Sequence, residues 1–181
     1  MKQSLLFANL VLVLYLFTSC AASKVVNEEQ TVAPIICATG QSQKYNLQLD
    51  FMKHHLSGLL IIRRLPGDEI RILASTYFGL SLFDFSFQGD DFRVNSCIEP
   101  MKKKKILLLL ETDFRNLLLN RKNIRMKEKS GDFEKRATGR GFGKSVFRLS
   151  EFVAGQPEQI RIKHPWLRLS IQLDRLKEKR N

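Results

Sequence analysis

The chain has 181 residues, 44% hydrophobic and 27% charged, a balance that excludes disorder over most of its length and suits a single folded domain. Thirty Lys and Arg against eighteen Asp and Glu leave a formal net charge of +12, so the surface favours polyanions: nucleic acid, acidic glycans or anionic lipid headgroups. The three cysteines show no metal-ligand pair spacing, and no metal or cofactor is expected.

The N-terminus narrows the choice. Lys2 is followed by an apolar run over residues 5–17, too short for an ordinary membrane span, and then by small residues at 19–22, the layout of a secretory signal. Leu16-Phe17-Thr18-Ser19-Cys20 resembles a bacterial lipobox, in which the cysteine becomes the lipid-bearing first residue; Phe17 departs from the small or aliphatic residue usual there. The expected division is a lipoprotein signal peptide over 1–19, a lipid-anchored tether over 20–43 with Cys20 acylated, and a folded domain over 44–181. Ordinary cleavage near Ala22 is the alternative. The tether is polar, contains Pro34 and Gly40, and has room for a short helix near residues 27–32. Export turns the basic surface toward the cell envelope, so anionic lipid rather than nucleic acid is the expected counter-surface. Cys37 and Cys97 then sit in a compartment that permits disulfides, and either bond to each other or stand as separate thiols.

In chain order, Tyr45, Leu47, Leu49 and Phe51 alternate with Asn46, Gln48 and Asp50, a strand with one apolar face. Residues 56–65 read as a more uniformly apolar strand, in which Gly58 marks a bulge or a close approach. Pro66-Gly67 makes a turn that sets Leu65 beside Arg63 and Arg64. On a membrane-facing loop these three would place an apolar side chain in the acyl boundary and guanidinium groups on lipid phosphates; a plain hairpin tip is the simpler reading. Residues 70–75, 80–87 and 92–95 are the clearest sheet. There Ser81, Phe83, Phe85 and Phe87 alternate with Leu82, Asp84, Ser86 and Gln88, and Gly89-Asp90-Asp91 supplies a hairpin turn.

Over 101–120, Leu107, Leu110, Phe114, Leu117 and Leu118 form a stripe on one face of a helix that would cover the aromatic strand. The lysines at 102–105 oppose the dipole at its start, and either hold an anion or stay solvated. Strands follow at 124–128, 133–138, 145–152, 159–163 and 166–173, the last with Leu167, Leu169, Ile171 and Leu173 in alternation. Several strands, one helix and several strands predict an α+β fold: a single curved antiparallel sheet covered by one or more helices.

Signals for catalysis are negative. Gly139-Arg140-Gly141-Phe142-Gly143-Lys144-Ser145 lacks the first glycine of a phosphate loop, Thr138 standing in its place, and leads into a strand, so it reads as a glycine-rich turn. His54 and His55 face opposite ways if they share a strand, and His164 stands apart. There is no Gly-x-Ser-x-Gly elbow, and nothing local brings Asp84 to Glu111 or Asp113 as a carboxylate pair. The chain is not expected to be an enzyme.

In element order over residues 45–173 the chain resembles the lipoprotein carriers and receptors of the bacterial envelope, LolA and LolB. The similarity is strongest from Ile70-Arg71-Ile72-Leu73 to Val94, where strand, Gly79, strand, Gly89 turn and strand recur. It extends to Leu117-Leu118-Leu119 in the helix and to Pro157 and Ile160-Arg161-Ile162 before the last strand, while Cys20 fits LolB, the lipid-anchored member. The resemblance implies an unclosed β-barrel lidded by helices, with an acyl-chain cavity lined by Phe83, Phe85, Phe87, Leu107, Leu110 and Phe114. Leu65 is the nearest match to the exposed loop leucine of LolB. The implied function is that of an outer-membrane lipoprotein facing the periplasm, which binds acyl chains of lipoproteins or other lipids and assists their insertion. The alternative is an envelope adaptor that keeps the fold, fills the cavity and holds a protein partner.

Overall fold

A computed structural model describes residues 34–119 and 124–177. Ten strands are β1 (Gln43–Phe51), β2 (His54–Arg64), β3 (Ile70–Thr76), β4 (Ser81–Gln88), β5 (Asp91–Cys97), β6 (Arg125–Ser130), β7 (Phe133–Thr138), β8 (Ser145–Val153), β9 (Gln156–His164) and β10 (Leu169–Arg175). One helix, α1 (Lys104–Leu118), stands between β5 and β6. The strands make one antiparallel sheet in the order β5-β4-β3-β2-β1-β10-β9-β8-β7-β6. Each strand pairs with its predecessor through a short connection except β6, which follows α1 and lies at the edge opposite β5; β1 and β10 meet at the centre, in register from Tyr45 opposite Arg175 to Phe51 opposite Leu169. β5 and β6 are left as the outer strands, and the sheet does not close on itself.

Period-two patterning puts one face of every central strand in the core. Tyr45, Leu47, Leu49, Leu60, Ile62, Ile72, Phe85, Phe147, Ile160, Ile162, Ile171 and Leu173 are all buried, and α1 lays Ile106, Leu110, Phe114, Leu117 and Leu118 into the same core. Burial of this apolar face offsets the chain entropy lost on folding, at roughly 25 cal/mol per Å² removed from water. Arg115 then fixes the last turns of α1, donating to the Asp90 carbonyl at 2.7 Å in the β4–β5 turn.

The architecture departs from the sequence reading in several places. Among the described residues it is mostly β with one 15-residue helix rather than α+β, because the ten strands flanking α1 all join one sheet and α1 alone covers it. α1 is shorter than residues 101–120: Glu99–Met101 is a separate 3₁₀ turn, and Leu119 is extended. Part of the expected tether belongs to the core. Ile35 and Ile36 are 3% and 1% exposed, and the Ile36 N–H donates to the Leu117 carbonyl at 2.8 Å, supplying a donor that the helix end lacks. Trp166 and Leu167 lie in the β9–β10 turn, not in the last strand. On β4, Ser75 faces Ser81 and Ala74 faces Phe83, so Leu82 is an extra residue in the ladder and is fully buried. The expected signal peptide, Cys20, the proposed short helix at 27–32 and residue 120 lie outside the described residues.

Gly58 is a true close approach. A Cβ there would lie 1.9 Å from the Ser75 carbonyl oxygen, which is backbone of the neighbouring strand and cannot swing aside. Gly58→Ala is therefore expected to destabilise the domain by about 3 kcal/mol, the upper part of the range for overpacking, read as a lower urea midpoint with an unchanged slope.

Candidate functional site

The six residues expected to line an acyl-chain cavity do converge, but they fill the space between β4 and α1 themselves. Phe83 and Phe85 stack with centroids 4.5 Å apart, and Phe114 of α1 reaches them at 5.7 and 6.2 Å. Phe92 packs on Phe85 and Phe87 at 5.2 and 5.0 Å, and the Arg115 guanidinium sits 5.1 Å from the Phe87 ring. Phe83, Phe85, Phe87, Leu110 and Phe114 are each at most 2% exposed; Leu107 flanks them half-buried. Two open surface cavities, of about 540 and 200 Å³, lie elsewhere and share none of these six residues.

The larger is lined by Gly40, Arg63, Arg64, Leu65 and Pro66, the expected membrane-facing loop. That loop is not a projecting leucine. Leu65 is half-buried and its N–H donates to the Glu69 carbonyl at 2.7 Å, while Arg64 bonds Asp68 at 3.1 Å. Of the two alternatives left open for Cys37 and Cys97, the structure has the separate thiols: both are free. Cys37 sits beside Gln156 at the start of β9, and Cys97 ends β5 opposite Phe83, so the two lie toward opposite ends of the sheet.

A buried polar cluster joins α1 to the far half of the sheet, and the sequence reading missed it. The Asp113 carboxylate meets His164 Nε2 at 2.6 Å and accepts the Ser145 hydroxyl at 2.8 Å, while Ser145 Oγ lies 3.4 Å from His164 Nδ1. The side chains of Asp113 and His164 are 0% exposed, and Ser145 is equally buried. Burial pushes the Asp113 carboxyl upward, and His164 and Ser145 pull it partly back. A hydrolytic triad orders the same residue types, yet here the serine donates to the carboxylate and no substrate can reach it. The cluster positions the helix. An acid on the apolar stripe of a predicted helix was its one sequence signal.

Neither Glu111 nor Asp84 joins Asp113. Glu111 bonds Arg115 at 2.6 Å, and Asp84 lies on the opposite sheet face with Arg71 at 3.0 and 2.6 Å and Asn95 at 3.2 Å. The Arg71 fork holds the Asp84 carboxyl below its ordinary value, against the opposing effect of burial. A depressed carboxyl stabilises the fold above the unfolded carboxylate pKa and loses that contribution as pH falls through the folded value. Arg71→Gln is expected to cost about 1 kcal/mol at neutral pH, a figure discounted for the half-exposed arginine, with the gap to wild type closing in acid. Denaturant titrations across pH check the sign.

Among the described residues no group of three or more His, Cys, Asp or Glu could hold a metal ion, and no helix is long and apolar enough to cross a membrane. No protein-family model matches the chain, and comparison with curated proteins finds no match.

Proposed function

We propose that the protein is a lipid-anchored adaptor of the cell envelope, whose surface rather than an internal cavity does its work. The observation that supports this reading is the filled space under α1, where Phe114 and the β4 phenylalanines occupy the volume a hydrocarbon tail would need. The anchor is Cys20, and loss of labelled palmitate incorporation in Cys20→Ser tests it.

A second reading keeps acyl-chain carriage and lipoprotein insertion, with α1 as a displaceable lid. It is favoured by the way α1 closes the groove: one apolar face plus two polar fastenings, Asp113 to His164 and Arg115 to Asp90. Such a helix competes with cargo for one surface, so closure would assist release. The full chain incubated with a fluorescent fatty acid separates the two. The adaptor reading expects no saturable one-to-one uptake and no change in amide exchange along α1. Uptake displaced by oleate, with faster exchange in α1, overturns it in favour of carriage.

A further inference from the structure

Successive turns of an antiparallel meander alternate between the two ends of the sheet, and here they are sorted by chemistry. One end carries the turns 52–53, 77–80, 139–144 and 165–168; the registers of Phe51 with His54 and Leu169, of Gly58 with Thr76, and of Thr138 with Ser145 put them together. These turns hold Lys53, Arg140, Lys144 and Arg168 and no acid. The other end carries 65–69, 89–90, 131–132 and 154–155, which hold Asp68, Glu69, Asp90 and Asp132 and no Lys or Arg. β5 also leaves the sheet at the basic end, leading into the exposed lysines 102–105.

The same end collects the exposed aromatic side chains. Phe78 is 100% exposed and Phe142 71%; Trp166, at 62%, lies 5.9 Å from Phe142, and Tyr77, Leu80 and Met52 are exposed beside them. Apolar rings on polar turns gain nothing in water, so this clustering marks a contact surface.

We propose that this end of the sheet lies on an anionic lipid bilayer, its aromatic tips in the headgroup layer and its Lys and Arg on lipid phosphates. Aromatic and aliphatic tips spread over four separate turns suit a shallow apolar layer under negative headgroups. A nucleic-acid site would give no use to Leu80 and Met52. The proposal deepens the adaptor reading by naming what its basic surface contacts. An anchor at Cys20 is compatible with it: the segment to Pro34 can span about 45 Å at ~3.3 Å per residue, more than the ~30 Å height of the strands.

The chain has one tryptophan, Trp166, so its emission reports on this end alone, whatever else holds the protein on a membrane. Full-length protein is mixed with phosphatidylcholine vesicles, with or without phosphatidylglycerol, carrying lipids brominated on the acyl chain. Phosphatidylglycerol vesicles are expected to shift Trp166 emission to the blue and quench it, less so at high salt, and neutral vesicles are not. Arg140→Gln with Lys144→Gln should lower the ratio of inserted to free tips about 30-fold, at about fivefold per charge. Phe78→Ser should weaken insertion too, whereas Asp68→Asn with Asp132→Asn at the opposite end should leave it unchanged, all with wild-type melting. Unchanged Trp166 emission while the protein sediments with phosphatidylglycerol vesicles overturns the proposal. So does an equal shift with heparin or single-stranded DNA and no bromolipid quenching, which assigns the surface to a polyanion. Neither result bears on fatty-acid uptake, so this proposal and the adaptor reading fail separately.

Discussion

Asp113→Ala is expected to lower stability by about 3–5 kcal/mol, the loss that follows from removing the shared partner of two buried polar groups. The side chain has two jobs in the fold: it meets His164 on β9 at 2.6 Å and accepts the Ser145 hydroxyl on β8 at 2.8 Å. Without it a fully buried imidazole and a fully buried hydroxyl have no route to water, and each orphaned group costs about 1–3 kcal/mol. Asp113→Asn keeps the shape and one acceptor, so it should lose less. Asp113→Leu with His164→Leu should recover much of the loss, because an apolar pair of suitable volume removes the desolvation cost together with the contact. The pH dependence has the opposite sign to that of Asp84. Burial raises the Asp113 carboxyl, so its contribution is present below the ordinary carboxylate range and is lost as pH rises through the raised value. Urea titrations of the four proteins at several pH values test both statements; an alanine variant as stable as wild type would show that α1 is held by its apolar face alone.

Phe114→Ala is expected to cost a similar amount, about 3–5 kcal/mol, for a different reason. Phe114 is 1% exposed and touches both rings of the Phe83–Phe85 stack, so truncation removes buried area and leaves a hole walled by aromatic side chains that cannot collapse far. The hole should be dry and should admit a small apolar probe such as benzene or xenon. Denaturant midpoints give the energy, and a rise in melting temperature with benzene for the variant, absent in wild type, gives the void. An equal rise in wild type would mean that space already exists under α1 and would return the acyl-carriage reading to first place.

Sequence-level legibility followed the range of the forces involved. The alternation Phe83, Phe85, Phe87 and the turn at Gly89 are local, and the hairpins β3–β4 and β4–β5 stand where they were read. The α1 stripe was found through Leu110, Phe114, Leu117 and Leu118, but Asp113 and Asn116 on the buried face were not, since a polar residue at helical spacing looks solvated until its partners are known. The partners of Asp113 lie 32 and 51 residues away. The sorting of basic and acidic turns was open to inspection: taking every second turn would have separated the signs, provided the crossing by α1 between the outer strands was known. Cys37 and Cys97 show the converse, since shared residue type says nothing of distance.

Side-chain alternation, turn chemistry and net charge by themselves determined that this chain makes antiparallel hairpins and one amphipathic helix with a basic surface, because each depends on neighbours a few residues apart. Tertiary structure alone decided that β1 meets β10, that Asp113 is buried against His164, and that Phe114 fills the groove instead of leaving it open. Backbone hydrogen bonds between strands are chemically alike whichever strands are paired, and whether a groove is full is a matter of volumes supplied by segments far apart in the chain.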